Sequence, residues 1–219
     1  MNKPADNLLF ARIDGIPILD KKKAAKEILA LDSKLSFWDN YRHTQMFPLN
    51  TKGGLGVDGT SNNQPGDFRW VSHTPTVIVD WFEDYLFPWI GCRARVMALV
   101  TKPGSSNNEH IDCSPHELNT LQHKIRIVLQ GNTSTLYWIT DKGKVSAPDI
   151  EHAFVMDGGF PHGMTNTSDE CKVTLALGAP WNGKDHYDDI TILQYRNEYK
   201  MPDDVSHLWK SDAITSGYK

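Results

Sequence analysis

Three side chains in this sequence have the types and spacing of a metal site: His110 and Asp112, one residue apart, and His162, about 50 residues downstream. In an extended strand alternate residues share a face, so a His-x-Asp pair presents an imidazole and a carboxylate together. A second imidazole from a distant strand completes a facial set of two histidines and one carboxylate, which suits ferrous iron and leaves three coordination positions open for a cosubstrate and O2. The pair alone carries little information. With nine His and 27 acidic residues in 219 positions, roughly one His-x-Asp is expected by chance. The chain has two, the other being His186-Tyr187-Asp188. That second pair lies in a polar C-terminal stretch with only His207 beyond it, where solvated histidines are the better reading. The first opens a strand-rich half and has His162, in Asp157-Gly-Gly-Phe-Pro-His-Gly-Met-Thr-Asn166, as its partner.

Two cations are placed to serve such a site. Lys172, ten residues after His162, begins Lys172-Val-Thr-Leu-Ala-Leu177. On an extended strand Lys172 and Thr174 share one face, with Val173, Leu175 and Leu177 on the other. A lysine in a buried strand needs an anion, because an unpaired buried charge is costly, and a dicarboxylate cosubstrate would supply one. A lysine at an exposed strand end, paired with Asp169 or Glu170, satisfies the same pattern, and spacing does not choose between them. Arg126 repeats the alternation in Lys124-Ile-Arg-Ile-Val-Leu129, where its fork could take a carboxylate or simply face solvent or an internal acid. Asn166 reads as a turn residue. His43, His73, His116, His123 and His152 receive no role. His116-Glu117 lacks the second His of a zinc-protease helix, and Gly53-Gly54-Leu55-Gly56 lacks the Gly-Lys-Ser/Thr of a phosphate loop.

The elements that must position these residues are partly readable. Asp20 is a good N-cap for a helix over 21–31, with Ala24, Ala25, Ile28 and Leu29 as its buried stripe and the lysine run outside it. A second helix is expected after Thr74 as cap and Pro75 as first residue, ending at Pro88. Residues 50–67 form a long polar loop that could be a lid or a surface excursion. After Gly91 short strands follow at 93–101, before His110, and at 124–130, 135–139, 152–156, 160–165 and 172–177, separated by Gly- and Asn-rich turns. Seven or so strands at this spacing predict a sandwich or barrel. The first 90 residues are expected to pack against it, with the last 40 as a tail.

The composition sets the class. At 39% hydrophobic and 23% charged, 219 residues suffice for one domain with a large core. The net charge of −4 and scattered basic residues give no stripe of the kind nucleic-acid binders show. Three cysteines, Cys92, Cys113 and Cys171, without a CxxC argue for reduced thiols. Residues 1–10 read as polar with no signal core, and no run nears the roughly 20 apolar residues that span a bilayer. A soluble, cytoplasmic protein is expected.

Together these residues resemble the Fe(II)/2-oxoglutarate-dependent oxygenases. The resemblance covers about 93–180 and rests on His110, Asp112 and His162 with Lys172 and Thr174 following. The stretches 124–129 and 161–175 are similar to the aspartyl/asparaginyl β-hydroxylase-like branch, as, more loosely, is 37–44. Asp112 departs from those members that lack the carboxylate ligand. The resemblance implies a mainly β fold with flanking helices, a double-stranded β-helix (cupin-like jelly roll) over 91–180. A single domain of 1–219 would then comprise N-terminal helices and strands over 1–90, that core, and an extension over 181–219. It implies Fe(II) held by His110, Asp112 and His162. The cosubstrate 2-oxoglutarate would be anchored by Lys172 with Thr174 and steadied by Arg126, with O2 as oxidant and an organic or peptidyl substrate hydroxylated. The competing readings are a metal-binding cupin with other chemistry and a non-enzymatic jelly-roll binding module. Substrate and oligomeric state are not legible.

Overall fold

A computed structural model of the chain describes residues 7–39, 43–52, 65–112, 123–180 and 187–209. In chain order its elements are β1 (Leu8–Ile13), α1 (Lys21–Leu29), β2 (Phe37–Asp39), β3 (Thr44–Pro48), β4 (Asn50–Lys52), β5 (Phe68–Trp70), α2 (Thr76–Trp81) and α3 (Phe87–Ile90). Then follow β6 (Val96–Thr101), β7 (Ser106–His110), β8 (His123–Gln130), β9 (Leu136–Thr140), β10 (Gly143–Ser146), β11 (Ala153–Asp157), β12 (His162–Thr165), β13 (Lys172–Pro180) and β14 (Ile190–Tyr195). Eight strands form one sheet in the order β14-β1-β11-β8-β13-β6-β3-β2, and four form a second in the order β10-β9-β12-β7. From β6 to β13 the chain passes back and forth between the two sheets, and neighbouring strands are antiparallel throughout. This is the double-stranded β-helix, or jelly roll.

Both faces of the large sheet are covered, which explains the nearly unbroken burial of β8. Ile125, Ile127, Leu129, Val173, Leu175 and Leu177 point outward into a core shared with Ala24, Ala25 and Ile28 of α1 and with Ile78, Trp81 and Phe82. Each such aliphatic side chain stabilises the fold by about 1.5–3 kcal/mol relative to exposure. Val128, Phe154 and Met156 point the other way, between the sheets, against Leu136 and Trp138. The alternation read from 124–129 and 172–177 therefore separates a helix-covered core from the interior of the roll.

The helices differ in detail from expectation. Asp20 does cap α1, accepting from the Lys23 N–H at 3.1 Å, but the helix stops at Leu29 rather than 31. Thr74 is no cap; its hydroxyl donates to the Leu49 carbonyl, and Pro75 holds the cap position without a side-chain bond. Nor does Pro88 end the helix. A π-helical turn over Phe82–Leu86 intervenes, and Pro88 falls in the first turn of α3, where a missing N–H is harmless. Gly91, at φ +71°, closes it.

Strand β6 begins three residues later than expected, and β10 and β1 carry no clear strand signal. Residues read as a polar start in fact give β1, four of whose first residues, Leu8, Leu9, Phe10 and Ala11, are fully buried. The stretch read as a tail supplies β14, which pairs with β1 at the sheet edge. Strands β4 and β5 pair at the two ends of the long polar stretch; residues 53–64, the candidate lid, lie outside the described residues. Among the described residues no helix is long and apolar enough to cross a membrane.

Candidate metal centre

The small sheet brings the two histidines together. His110, at the end of β7, and His162, at the start of β12, are direct cross-strand partners, with ring centroids 4.4 Å apart. Asp112, two residues past His110, is held there by its neighbours. The Ile111 N–H donates to the Leu208 carbonyl at 2.8 Å and the Asp112 N–H to the Gly158 carbonyl at 2.8 Å. The Asp112 carboxylate lies 3.4 Å from His110 Nε2 and 3.8 Å from His162 Nε2. One donor atom from each of the three residues falls within 4.8 Å of the others.

The tautomers are set by the backbone. His110 Nδ1 lies 2.7 Å from the Asn108 carbonyl and His162 Nδ1 lies 2.8 Å from the Phe160 carbonyl. A carbonyl can only accept, so in each ring Nδ1 carries a proton and Nε2 is the nitrogen that faces Asp112. Backbone partners that fix a ligand imidazole in this way accompany metal-binding histidines generally. Two imidazole nitrogens and a carboxylate, each side chain at most 7% exposed, fit a borderline divalent ion and leave room for further ligands. The loop before His162 is itself tied down. Asp157 accepts from the Gly159 N–H at 2.8 Å and pairs with Arg196, so the C-terminal segment latches this loop. Trp138, on the other side of His162, meets it edge-on at 6.0 Å and donates its indole N–H to Gln194 of β14 at 2.8 Å.

The triad lines one wall of a cleft between the sheets. Arg126, Lys172 and Thr174 line it too, among Val128, Leu136, Phe154 and Met156. Arg126 stands beside the triad, its guanidinium 3.7 Å from the Asp112 carboxylate and donating to the Ile125 and Leu177 carbonyls at 3.0 and 3.3 Å. Lys172 is not at an exposed strand end. It is 3% exposed, and its ammonium donates to the Asn132 carbonyl at 2.5 Å and to the Thr135 hydroxyl. Burial lowers its pKa to about 8, partly offset by the charge of Asp149. Asp149 in turn organises the turn that holds Lys172, accepting from the Thr133 N–H at 3.0 Å and its hydroxyl at 3.1 Å.

Gly131 is part of this cradle. Its φ is +90°, and an added Cβ would stand 3.2 Å from Lys172 Cγ. Gly131→Ala is expected to destabilise the protein by about 1–3 kcal/mol through backbone strain and to push the lysine stem aside, as measured by urea denaturation.

Several participants escaped the sequence reading. Thr101, Asn107 and Thr133 line the cleft, and Asn132 and Asp149 act through a backbone carbonyl and a turn, which no residue pattern announces. Asn166 is the turn residue expected, its amide donating to the Thr101, Lys102 and Glu170 carbonyls. In the discarded pair, Asp188 is exposed and His186 lies outside the described residues, as do Cys113 and His116-Glu117.

No protein-family model matches the chain, and no curated protein does. Among solved structures it is similar to a Pseudomonas putida prolyl-4-hydroxylase, at 12% identity over 80% of this chain and 97% of that one, with a TM-score of 0.45. It is also similar to an oxidoreductase of the 2OG-Fe(II) oxygenase family from Burkholderia pseudomallei, at 12% identity over 70% and 76%, with a TM-score of 0.43. A cupin domain from Bordetella pertussis matches at 18% identity over 38% and 77%, with a TM-score of 0.28. At such identity and overlap, what the site does must follow from its own residues.

Proposed function

We propose that the protein is a non-haem Fe(II) oxygenase that couples decarboxylation of 2-oxoglutarate to hydroxylation of a peptidyl side chain or small molecule. One observation carries the reading: a preformed His-Asp-His triad and a buried, positively charged Lys172 line the same cleft. A metal site alone would fit a cupin of any chemistry. A lysine kept at 3% exposure, hydrogen-bonded among the described residues to a carbonyl and a hydroxyl, calls for an anionic partner. A dicarboxylate that reaches the metal with its other end meets that need.

In this reading His110, Asp112 and His162 hold the iron. The locked tautomers keep both Nε2 atoms available without a proton-transfer step. Lys172 receives the distal carboxylate, with Thr174 beside it on the same face of β13. Arg126 orients Asp112 and offers its guanidinium to the keto-acid end, an arrangement that resists rotation of a planar carboxylate. Bound iron, with 2-oxoglutarate and O2, would supply the oxidising power to cleave a substrate C–H bond, chemistry no side chain here provides. Val128, Leu136, Phe154 and Met156 make the cleft walls apolar, which strengthens each polar contact within it. Cys92 and Cys171 are free thiols, consistent with work in a reducing, cytoplasmic setting.

The decisive experiment is titration of 2-oxoglutarate into Mn(II)-loaded and metal-free protein by calorimetry. Tight binding that requires the metal is expected; metal binding without 2-oxoglutarate affinity would turn the assignment to a cupin of other chemistry, and neither would leave a binding module.

The lowered pKa of Lys172 gives the site a pH signature. Only the ammonium form attracts a carboxylate, so 2-oxoglutarate affinity is expected to be level below about pH 8 and to fall about tenfold per pH unit above it. Stability should move the other way. The unfolded chain keeps this proton up to 10.5 and the folded chain only to about 8, so between those values the unfolded state binds more protons. The ligand-free protein therefore gains stability as pH rises through that window. Calorimetric titrations and thermal melts from pH 7 to about 10 check both signs.

A further inference from the structure

The cleft has a polar wall that the proposed reaction leaves without a role. Asn107 lies on β7 three residues before His110, and parity in a regular strand would put the two on opposite faces. They share a face because β7 bulges between them. His110 stands opposite His162 and Asn107 opposite Met164, so β7 covers with three residue steps the span that β12 covers with two. Both side chains consequently line the cleft.

The Asn107 amide is also fixed in orientation. Thr44, fully buried on β3, donates its hydroxyl to Asn107 Oδ1 at 2.8 Å, and its own oxygen lies 3.2 Å from the Thr101 hydroxyl. With Oδ1 engaged, the amide nitrogen of Asn107 is left with no hydrogen bond among the described residues. Thr101 is the direct cross-strand partner of Lys172, so this hydrogen-bonded chain ends beside the lysine.

Donor counting shows why a second group is needed there. An ammonium has three N–H donors, and two of those on Lys172 are directed at the Asn132 carbonyl and the Thr135 hydroxyl. One remains for a carboxylate that offers about four acceptor sites. We propose that Asn107 is a further cosubstrate-binding residue, donating from Nδ2 to the distal carboxylate of 2-oxoglutarate while Lys172 supplies the charge. The assignment rests on the 2-oxoglutarate reading and adds to it a residue held in place by a strand bulge and by Thr44.

The test is calorimetric titration of the Mn(II)-loaded protein. Asn107→Asp keeps an acceptor for Thr44, removes the donor and sets like charge against the ligand. Its Kd for 2-oxoglutarate is expected to rise at least about tenfold, the size of a lost hydrogen bond to a charged group, with Mn(II) affinity unchanged. Asn107→Ala should weaken 2-oxoglutarate but leave the weaker ligand 2-oxovalerate, which lacks the distal carboxylate, unaffected; a merely structural role would weaken both alike. If the aspartate variant does not fold, Asn107→Ala and Thr44→Val, which frees the amide to rotate, carry the test. Wild-type affinity for 2-oxoglutarate in the variants, or equal losses for the two keto acids, overturns the assignment. Failure of the Mn(II)-loaded wild type to bind 2-oxoglutarate at all overturns the proposed function, and the role of Asn107 falls with it.

Discussion

Replacing His162 with alanine is expected to leave the jelly roll folded and to weaken Fe(II) or Mn(II) binding by roughly a hundredfold or more, beyond the 10–100-fold typical of losing a ligand's supporting partner. The ring is 5% exposed and sits between His110 and Trp138, and among the described residues no other metal-binding group of three or more His, Cys, Asp or Glu stands in its place. With His110 and Asp112 alone, two donors would hold a divalent ion less firmly against water than three. Circular dichroism checks the fold, and metal content after dialysis reads the loss. Retention of one metal per chain by the variant would remove His162 from the ligand set.

Lys172→Met should act in two opposite directions. Cosubstrate affinity is expected to fall by at least about thirtyfold, since truncating one partner of a buried charge pair costs about 2–5 kcal/mol. Metal affinity should be spared. The ligand-free variant should nevertheless be the more stable protein near neutral pH. Burial that lowers the lysine pKa from 10.5 to about 8 implies a penalty of order 3 kcal/mol for holding the charge in the empty cleft, and an apolar side chain of similar shape avoids it. A binding residue that destabilises the empty protein is what a site evolved for an anion would show. Unchanged 2-oxoglutarate affinity, or a loss of both stability and metal, would mark Lys172 as structural instead.

How much of this is legible in the sequence depends on which physical signal each residue leaves. The convergence of His110, Asp112 and His162 was readable because the first two stand at a period of two and the third stands at a separation that a returning strand can close. The inward face of β13 was readable for the same reason: Lys172 and Thr174 alternate with Val173, Leu175 and Leu177, and the structure puts the latter three in the helix-covered core. Alternation could not say whether Lys172 faced ligand or solvent, because that depends on whether anything stands opposite β13. Only tertiary structure answers it.

Other features left no such trace. A bulge inverts the parity of every residue beyond it, so counting back from His110 places Asn107 on the wrong face. The Asn132 carbonyl that binds Lys172 belongs to the backbone and is invisible in residue types. Proline normally stops a helix, and the π turn over Phe82–Leu86 that leaves Pro88 in the first turn of α3 is announced by no local rule. Strands β1 and β14 are not marked locally because they complete each other at the sheet edge, a pairing of residues about 180 positions apart that no local window contains.

The central assignment is tested most directly by following 2-oxoglutarate itself. Purified protein supplied with Fe(II), 2-oxoglutarate and O2 should form succinate slowly even without its substrate, and formation should stop when iron is withheld or when His162 is replaced by alanine. Succinate formed at the same rate without iron or by the His162 variant, or none formed by the iron-loaded wild-type protein, would contradict it.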